Sequence, residues 1–242
     1  MISVEATLEN WSAWAPGYET QQQWLQWQGD IDQIEEQGSP NMDFLPPMFR
    51  RRLSRLSKLA LTTAFDCLAP QTAISTVFAS RHGELQTSAK LLEDLANNTP
   101  LSPTKFSTSV HNTASGMYSI ANQDRTHSTA IAAGVDTLEM GFIEASCQLA
   151  SHKHNQVMLV LAEEPLHHYY NQYSDMPEKP FALALLLSNN KKGLKLSVSA
   201  ESSNTPPRQQ HGLSLISLLT HNQTSLSTHS NRFTWNWNLQ RA

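Results

Sequence analysis

Charge is scarce in this 242-residue chain: Asp, Glu, Lys and Arg make up 16% of it, against about a quarter in an ordinary soluble protein. Ser, Thr, Asn and Gln fill the gap, and a lightly charged polar surface suits burial against another protein. The net charge is −4, and Arg50, Arg51 and Arg52 form the one basic cluster. That leaves no electrostatic footprint for nucleic acid. Long apolar runs are also missing. The longest, such as 181 to 187, falls far short of the ~20 residues a bilayer demands. The opening MISVEATLENWSAW has no basic flank leading into an apolar run, so neither a signal peptide nor stable membrane insertion is expected. Cysteine is nearly absent: Cys67 and Cys147 each sit in an apolar helical pattern and read as reduced, buried thiols of a cytoplasmic protein. Nine glycines leave little room for a phosphate-cradling loop, and there is no Gly-x-Ser-x-Gly elbow or Cys pair at metal spacing.

What is present points to one α/β domain over 1 to 242. Residues 1 to 48 form a Trp-rich N-terminal segment, in which Trp24 and Trp27 are one helical turn apart and read as a short helix covering its own core. After Pro46 and Pro47, the segment RRLSRLSKLALTTAFDCL places Leu53, Leu56, Ala60, Ala64 and Cys67 at helical spacing. Strands are expected at 74 to 79, 129 to 133, 157 to 161, 181 to 187 and 194 to 199, with helices at 87 to 96, 109 to 121 and 136 to 150. The alternation predicts a mixed, largely parallel sheet with helices on both faces. Residues 200 to 242 read as a C-terminal extension, with a loop, a short helix at 213 to 219, and an alternating strand carrying Phe233, Trp235 and Trp237 on one face.

Candidate chemistry is sparse. His152 with His154 and His167 with His168 lie in polar loop sequence without a carboxylate or Cys at ligand spacing, so no metal is expected. Glu163 and Glu164 follow a strand end, where α/β folds place active groups, but lack a companion acid or base nearby and read as surface charges. The informative stretch is THSTAIAAGVDTLEMGFIEA, 126 to 145. A strand of small residues ends at Gly134 and a helix follows at once, with Asp136 as N-cap and Glu139 three residues on in a capping-box-like arrangement. Such a turn presents a side chain at a helix N-terminus, where the dipole activates a thiol and stabilises an oxyanion. The residue presented is Val135, which can attack nothing.

The block SPTKFSTSVHNTASGMYSI (102 to 120), with Arg125 and the strand, turn and helix after it, resembles the N-terminal half of β-ketoacyl synthases of the thiolase-like fold. RRLSRLSKLA (51 to 60) resembles their early helix. The resemblance spans about 50 to 165 and puts Val135 where those enzymes carry the catalytic cysteine. Leu138 stands where a glycine usually follows it. The chain is short of the family's C-terminal half, which supplies two histidines. The resemblance therefore implies no condensation by this chain and no cofactor. It is similar to the chain length factors of type II polyketide systems, and most to short ketosynthase-like subunits of aryl polyene clusters. That implies an active β-ketoacyl synthase as partner, with an acyl carrier protein reached through the complex. It also assigns Ser128, Thr129, Ala130, Ile131, Ala132 and Ala133 to the interface, and Lys105, Phe106 and Met117 to shaping the acyl cavity. Two rival readings are an acyl hydrolase or acyltransferase using Ser115 or Thr137 with His111, and a free-standing acyl-binding scaffold.

Overall fold

The computed structural model describes residues 2–151 and 155–240. Eight strands are β1 (Ile2–Trp14), β2 (Ser75–Ala79), β3 (Ser128–Ile131), β4 (Gln156–Glu163), β5 (Phe181–Ser188), β6 (Leu194–Ser202), β7 (Ser225–His229) and β8 (Phe233–Gln240). Eight α-helices are α1 (Gln21–Trp24), α2 (Pro47–Arg50), α3 (Arg55–Cys67), α4 (Leu85–Ala96), α5 (Pro103–Ser107), α6 (Thr113–Asn122), α7 (Thr137–Ala150) and α8 (His211–Thr220).

The strands form one sheet in the order β3-β2-β4-β5-β1-β6-β8-β7. It is mixed, with helices on both faces, as expected. Parallel pairing is confined to β3, β2 and β4; every other junction is antiparallel, which corrects the expectation of a largely parallel sheet. The reason lies in the connections. Helical crossovers return the chain in the same direction from β2 to β3 and from β3 to β4, whereas β7 and β8 are joined by a short turn that can only reverse it.

The Trp-rich N-terminal segment is no appendage. β1 runs through the middle of the sheet, between β5 and β6. Its alternation was hidden by a bulge between Leu8 and Asn10, which inserts one residue and shifts the phase. Ala6 and Leu8 face one core before the bulge, and Ala13 and Ala15 face it afterwards. The C-terminal residues likewise supply β6, β7 and β8 to the same sheet.

The sheet separates two cores. In β4, Val157, Leu159 and Leu161 face one core and Met158, Val160 and Ala162 the other, so a doubly covered strand shows no polar alternation. On one face α3 and α6 pack Leu56, Leu59, Ala60, Ala64, Met117 and Tyr118 against the sheet. α3 starts where the Ser54 hydroxyl accepts from the Ser57 N–H at 2.9 Å, a capping bond, and Pro70 follows its end. On the other face lie α7 and α8, with Trp24 and Trp27 packed edge-to-face at 5.3 Å. These two indoles are buried, as read from their spacing, although α1 itself ends at Trp24. Gly212 lets α8 approach β5: a Cβ there would stand 2.5 Å from the Phe181 ring.

Several local expectations need correction. The helix expected over 109 to 121 starts at Thr113, which puts Ser115 in its first turn. Cys67 is buried, and desolvation pushes its thiol up to about 12, whereas Cys147 is exposed on the outer side of α7. No helix among the described residues is long and apolar enough to cross a membrane.

Candidate functional site

β3 ends at Ile131, and a single 3-10 turn, Gly134–Asp136, leads into α7. Gly134 makes the turn possible with φ +62, a conformation that costs glycine little. Thr137 then locks it: its hydroxyl donates to the Gly134 carbonyl at 2.7 Å and accepts from the Ala133 N–H at 3.0 Å. Val135 sits at the tip, half-buried. It lines a cavity of about 20 Å³ together with Arg81, Glu163, Phe181 and His211, room for one water molecule and no more.

Asp136 does not cap α7 with its side chain. Its Oδ1 accepts instead from the Trp235 indole N–H at 2.8 Å. Glu139 makes no capping box; it is fully buried, accepting from Thr228 Oγ1 at 3.0 Å and the Trp237 indole N–H at 3.3 Å. His211 Nδ1 lies 2.9 Å from Glu139 Oε1 and 3.0 Å from Oε2, and its Nε2 faces the His229 carbonyl at 2.9 Å. Both ring nitrogens therefore face acceptors, and both donate. Burial opposes that charge, but the Glu139 carboxylate, its hydrogen bond and the His229 carbonyl outweigh burial and raise the His211 pKa. No local pattern announces this pairing, because its members come from α7, α8, β7 and β8.

Glu163 and Glu164 are not surface charges. Glu163 is buried with both oxygens on the Arg81 backbone N–H, at 2.9 and 3.0 Å. Desolvation, reinforced by nearby Glu178, pushes its carboxyl up to about 8 against the pull of the Arg81 N–H. Glu164 is likewise raised by burial, to about 7, although Arg55 at 3.8 Å opposes the shift. Arg81 reaches Asp175 at 3.0 Å and Glu178 at 3.2 Å, and His82 Nε2 lies 2.9 Å from Glu178. The parallel register of β2 and β4 brings these strand ends together.

The hydroxyls of the rival enzyme reading do not meet a base. Ser115 Oγ hydrogen-bonds Ser128 Oγ at 2.7 Å, and His111 Nε2 faces the Ser80 carbonyl at 2.8 Å. Thr137 is committed to the turn. The residues assigned to the interface lie together: Ser128 is exposed, Thr129, Ala130 and Ile131 are half-buried along β3, and Ala132 and Ala133 follow it, with Ala132 exposed. β3 is an edge strand, with no other strand on its outer side among the described residues. Other apolar residues are exposed on the surface: Leu92 and Leu95 on α4, Phe106 on α5, Val110, and Ile120 on α6, the helix that packs against β3. Lys105 is exposed beside Phe106, while Met117 is buried in the core. His152 and His154 lie outside the described residues. His167 and His168 stand beside Glu93 of α4, a carboxylate that spacing along the chain could not supply.

Solved structures similar to this chain share its architecture. A chain from the complex of the ketosynthase ApeO with its chain length factor ApeC from Xenorhabdus doucetiae superposes with a TM-score of 0.85 at 29% identity, over 97% of this chain and 99% of that one. The ishigamide ketosynthase/chain length factor follows at 0.66 and 15%, over 82% and 67% of the two chains. A module 6 ketosynthase of the bacillaene synthase from Bacillus subtilis follows at 0.60 and 10%, over 84% and 42%; at these identities the last two show the fold alone. No curated protein sequence matches the chain. The family model for the β-ketoacyl synthase N-terminal domain matches residues 24–238. With every strand but β1 and the end of β8, all of the helices but the first three residues of α1, and the turn at Val135 inside that match, the chain belongs to the β-ketoacyl synthase family through its N-terminal domain.

Proposed function

We propose that this chain is a non-catalytic ketosynthase-like subunit of the chain length factor kind. In this reading it pairs with an active β-ketoacyl synthase in the cytoplasm and shapes the cavity for a growing acyl or polyene chain. The observation that carries the reading is Val135 at the tip of the strand–turn–helix. An aliphatic side chain offers no nucleophile, and the 20 Å³ behind it cannot accept an acyl group. Catalysis would then fall to the partner, to which the acyl carrier protein delivers its cargo.

The open edge of β3 and the exposed apolar residues on α4, α5 and α6 support the pairing. An unpaired strand edge is a template for a second chain, and a partner would bury such apolar side chains. Lys105 and Phe106, exposed on α5, are then positioned to enter the partner's cavity, with Met117 behind them. The likeness to ApeO with its chain length factor ApeC favours the same reading.

Co-expression with an active β-ketoacyl synthase from the same source tests this. The expected result is a stable complex burying more than ~2,000 Å² in total. After incubation with malonyl or acyl carrier protein, intact-mass spectrometry should find acyl groups on the partner's cysteine and none on this chain. A stable adduct on Ser115, Thr137, Cys67 or Cys147 would return the chain to the enzymes. A monomer that ignores the ketosynthase on a sizing column would remove the pairing.

A further inference from the structure

A second cluster of polar side chains lies on the outer surface between α4 and the segment after β4. Glu93 projects from the third turn of α4, and His167 and His168 open the short 3-10 segment His168–Tyr173. One ligand atom from each of the three lies within 4.8 Å of the others. The two oxygens of Glu93 are divided: Oε2 accepts from Lys90 Nζ at 3.0 Å, while Oε1 faces His167 Nε2 at 3.7 Å. Ring stacking holds the imidazoles side by side, with centroids of His167 and His168 4.2 Å apart and Tyr169 4.9 and 4.1 Å from them.

His167 carries an anomaly. Its Nδ1 is buried and has no hydrogen-bond partner, although buried polar atoms are nearly always satisfied. Its side chain is only 12% exposed, and that of Glu93 21%. The imidazole is thus drawn out of water while its Nε2 stands too far from Glu93 for a good hydrogen bond. A cation that drew Nε2 and Oε1 onto a common centre would account for the long Nε2 to Oε1 approach.

We propose that Glu93, His167 and His168 form a site for a divalent transition metal, with zinc the best fit, completed by water. Two imidazoles and one carboxylate suit zinc and its neighbours, whereas calcium and magnesium take oxygen ligands. Bonds of about 2.0–2.2 Å place tetrahedral ligands roughly 3.4 Å apart, so the side chains close by about an ångström on loading. Lys90 keeps Oε2, and the metal takes Oε1. The ion would pin the aromatic segment after β4 to α4, the helix that packs against α5 and Phe106. Sequence spacing gives no hint of the site, because its carboxylate precedes the histidine pair by the whole β2-to-β4 crossover region.

The test uses the untagged chain, in complex with its co-expressed partner or alone, dialysed against Zn²⁺ and Co²⁺. One equivalent of zinc is expected to remain bound at micromolar free metal, and cobalt loading to give the intense visible bands of a tetrahedral site. His168→Ala and Glu93→Gln, both at the surface, should each weaken binding at least about tenfold, since losing even an outer-shell partner typically costs that much. Zinc should raise the Tm of the wild-type protein and leave both variants unmoved. Absence of bound metal, or equal affinity in wild type and both variants, overturns the proposal.

Discussion

The two ends of the sheet solve the problem of an exposed strand edge in opposite ways. β3 is short, built from Ser128, Thr129, Ala130 and Ile131, and α6, which packs against it, carries the exposed Ile120. β7 is SLSTH, polar on its exposed side, and joined to the interior by Thr228, which donates to buried Glu139. One end directs apolar groups outward; the other directs polar groups inward. Edge strands with polar exposed residues resist pairing with other chains, and bare apolar edges invite it. The β7 end therefore reads as part of the molecule's internal wiring and the β3 end as a surface awaiting a partner.

The largest effect expected from breaking that wiring is Glu139→Ala. It strands the His211 imidazolium in the core, and removing one member of a buried pair costs about 3–5 kcal/mol. Denaturant unfolding should show it, together with a large fall in Tm; a loss below ~1 kcal/mol would mean that His211 sheds its proton freely. At the open end, Ala132→Arg is expected to leave unfolding unchanged but to cost roughly 2–5 kcal/mol of association with the ketosynthase, as an unpaired charge in a desolvated seam does. The mirror change Ser227→Arg on β7 should alter neither stability nor assembly by more than about 0.5 kcal/mol. Normal assembly of the Ala132→Arg chain in a pull-down would place the interface elsewhere.

Stability should also depend on pH through three buried groups. Glu163 is raised from 4.5 to about 8, Glu164 to about 7, and His211 upward from 6.5. All three hold protons more tightly folded than unfolded. Their contribution is complete below the unfolded values and is lost as pH rises through the folded ones. Tm should therefore fall between about pH 5 and 8, and Glu163→Gln should flatten that fall. A slope unaltered by the substitution would assign the proton to another group. The smallest expected effect is Phe106→Ala, which should change association by less than ~1 kcal/mol while altering the length distribution of products in mass spectra of the complex. A change in assembly without a change in product length would move Phe106 from cavity to interface.

Local pattern carried what local physics decides. The α3 periodicity was readable because Leu56, Ala60, Ala64 and Cys67 face one core, and β4 was readable because an unbroken apolar strand is buried on both sides. The turn at Val135 was legible from a strand of small residues, a glycine and a helix start. β1 was missed because its bulge interrupts the period-2 signal, and β7 because a polar edge strand has none. Glu139 and Glu163 were misread for one reason: each finds its partner from a distant element, and spacing along the chain cannot show it. Asp136 and Glu139 fit a capping pattern, but burial against Trp235 and Trp237 overrode it.

The central place of β1 also has a consequence in time. β1 is complete at Trp14, but β5, which pairs with it, begins at Phe181 and β6 at Leu194. At synthesis rates of about 5–20 residues per second, the strand waits on the order of ten to thirty seconds before either neighbour leaves the ribosome. Throughout that interval Leu8, Trp11 and Trp14 have no sheet to join. The first part of the sheet to be made thus waits longest for its neighbours, and the nascent chain offers a holding chaperone an apolar, aromatic handle near its start.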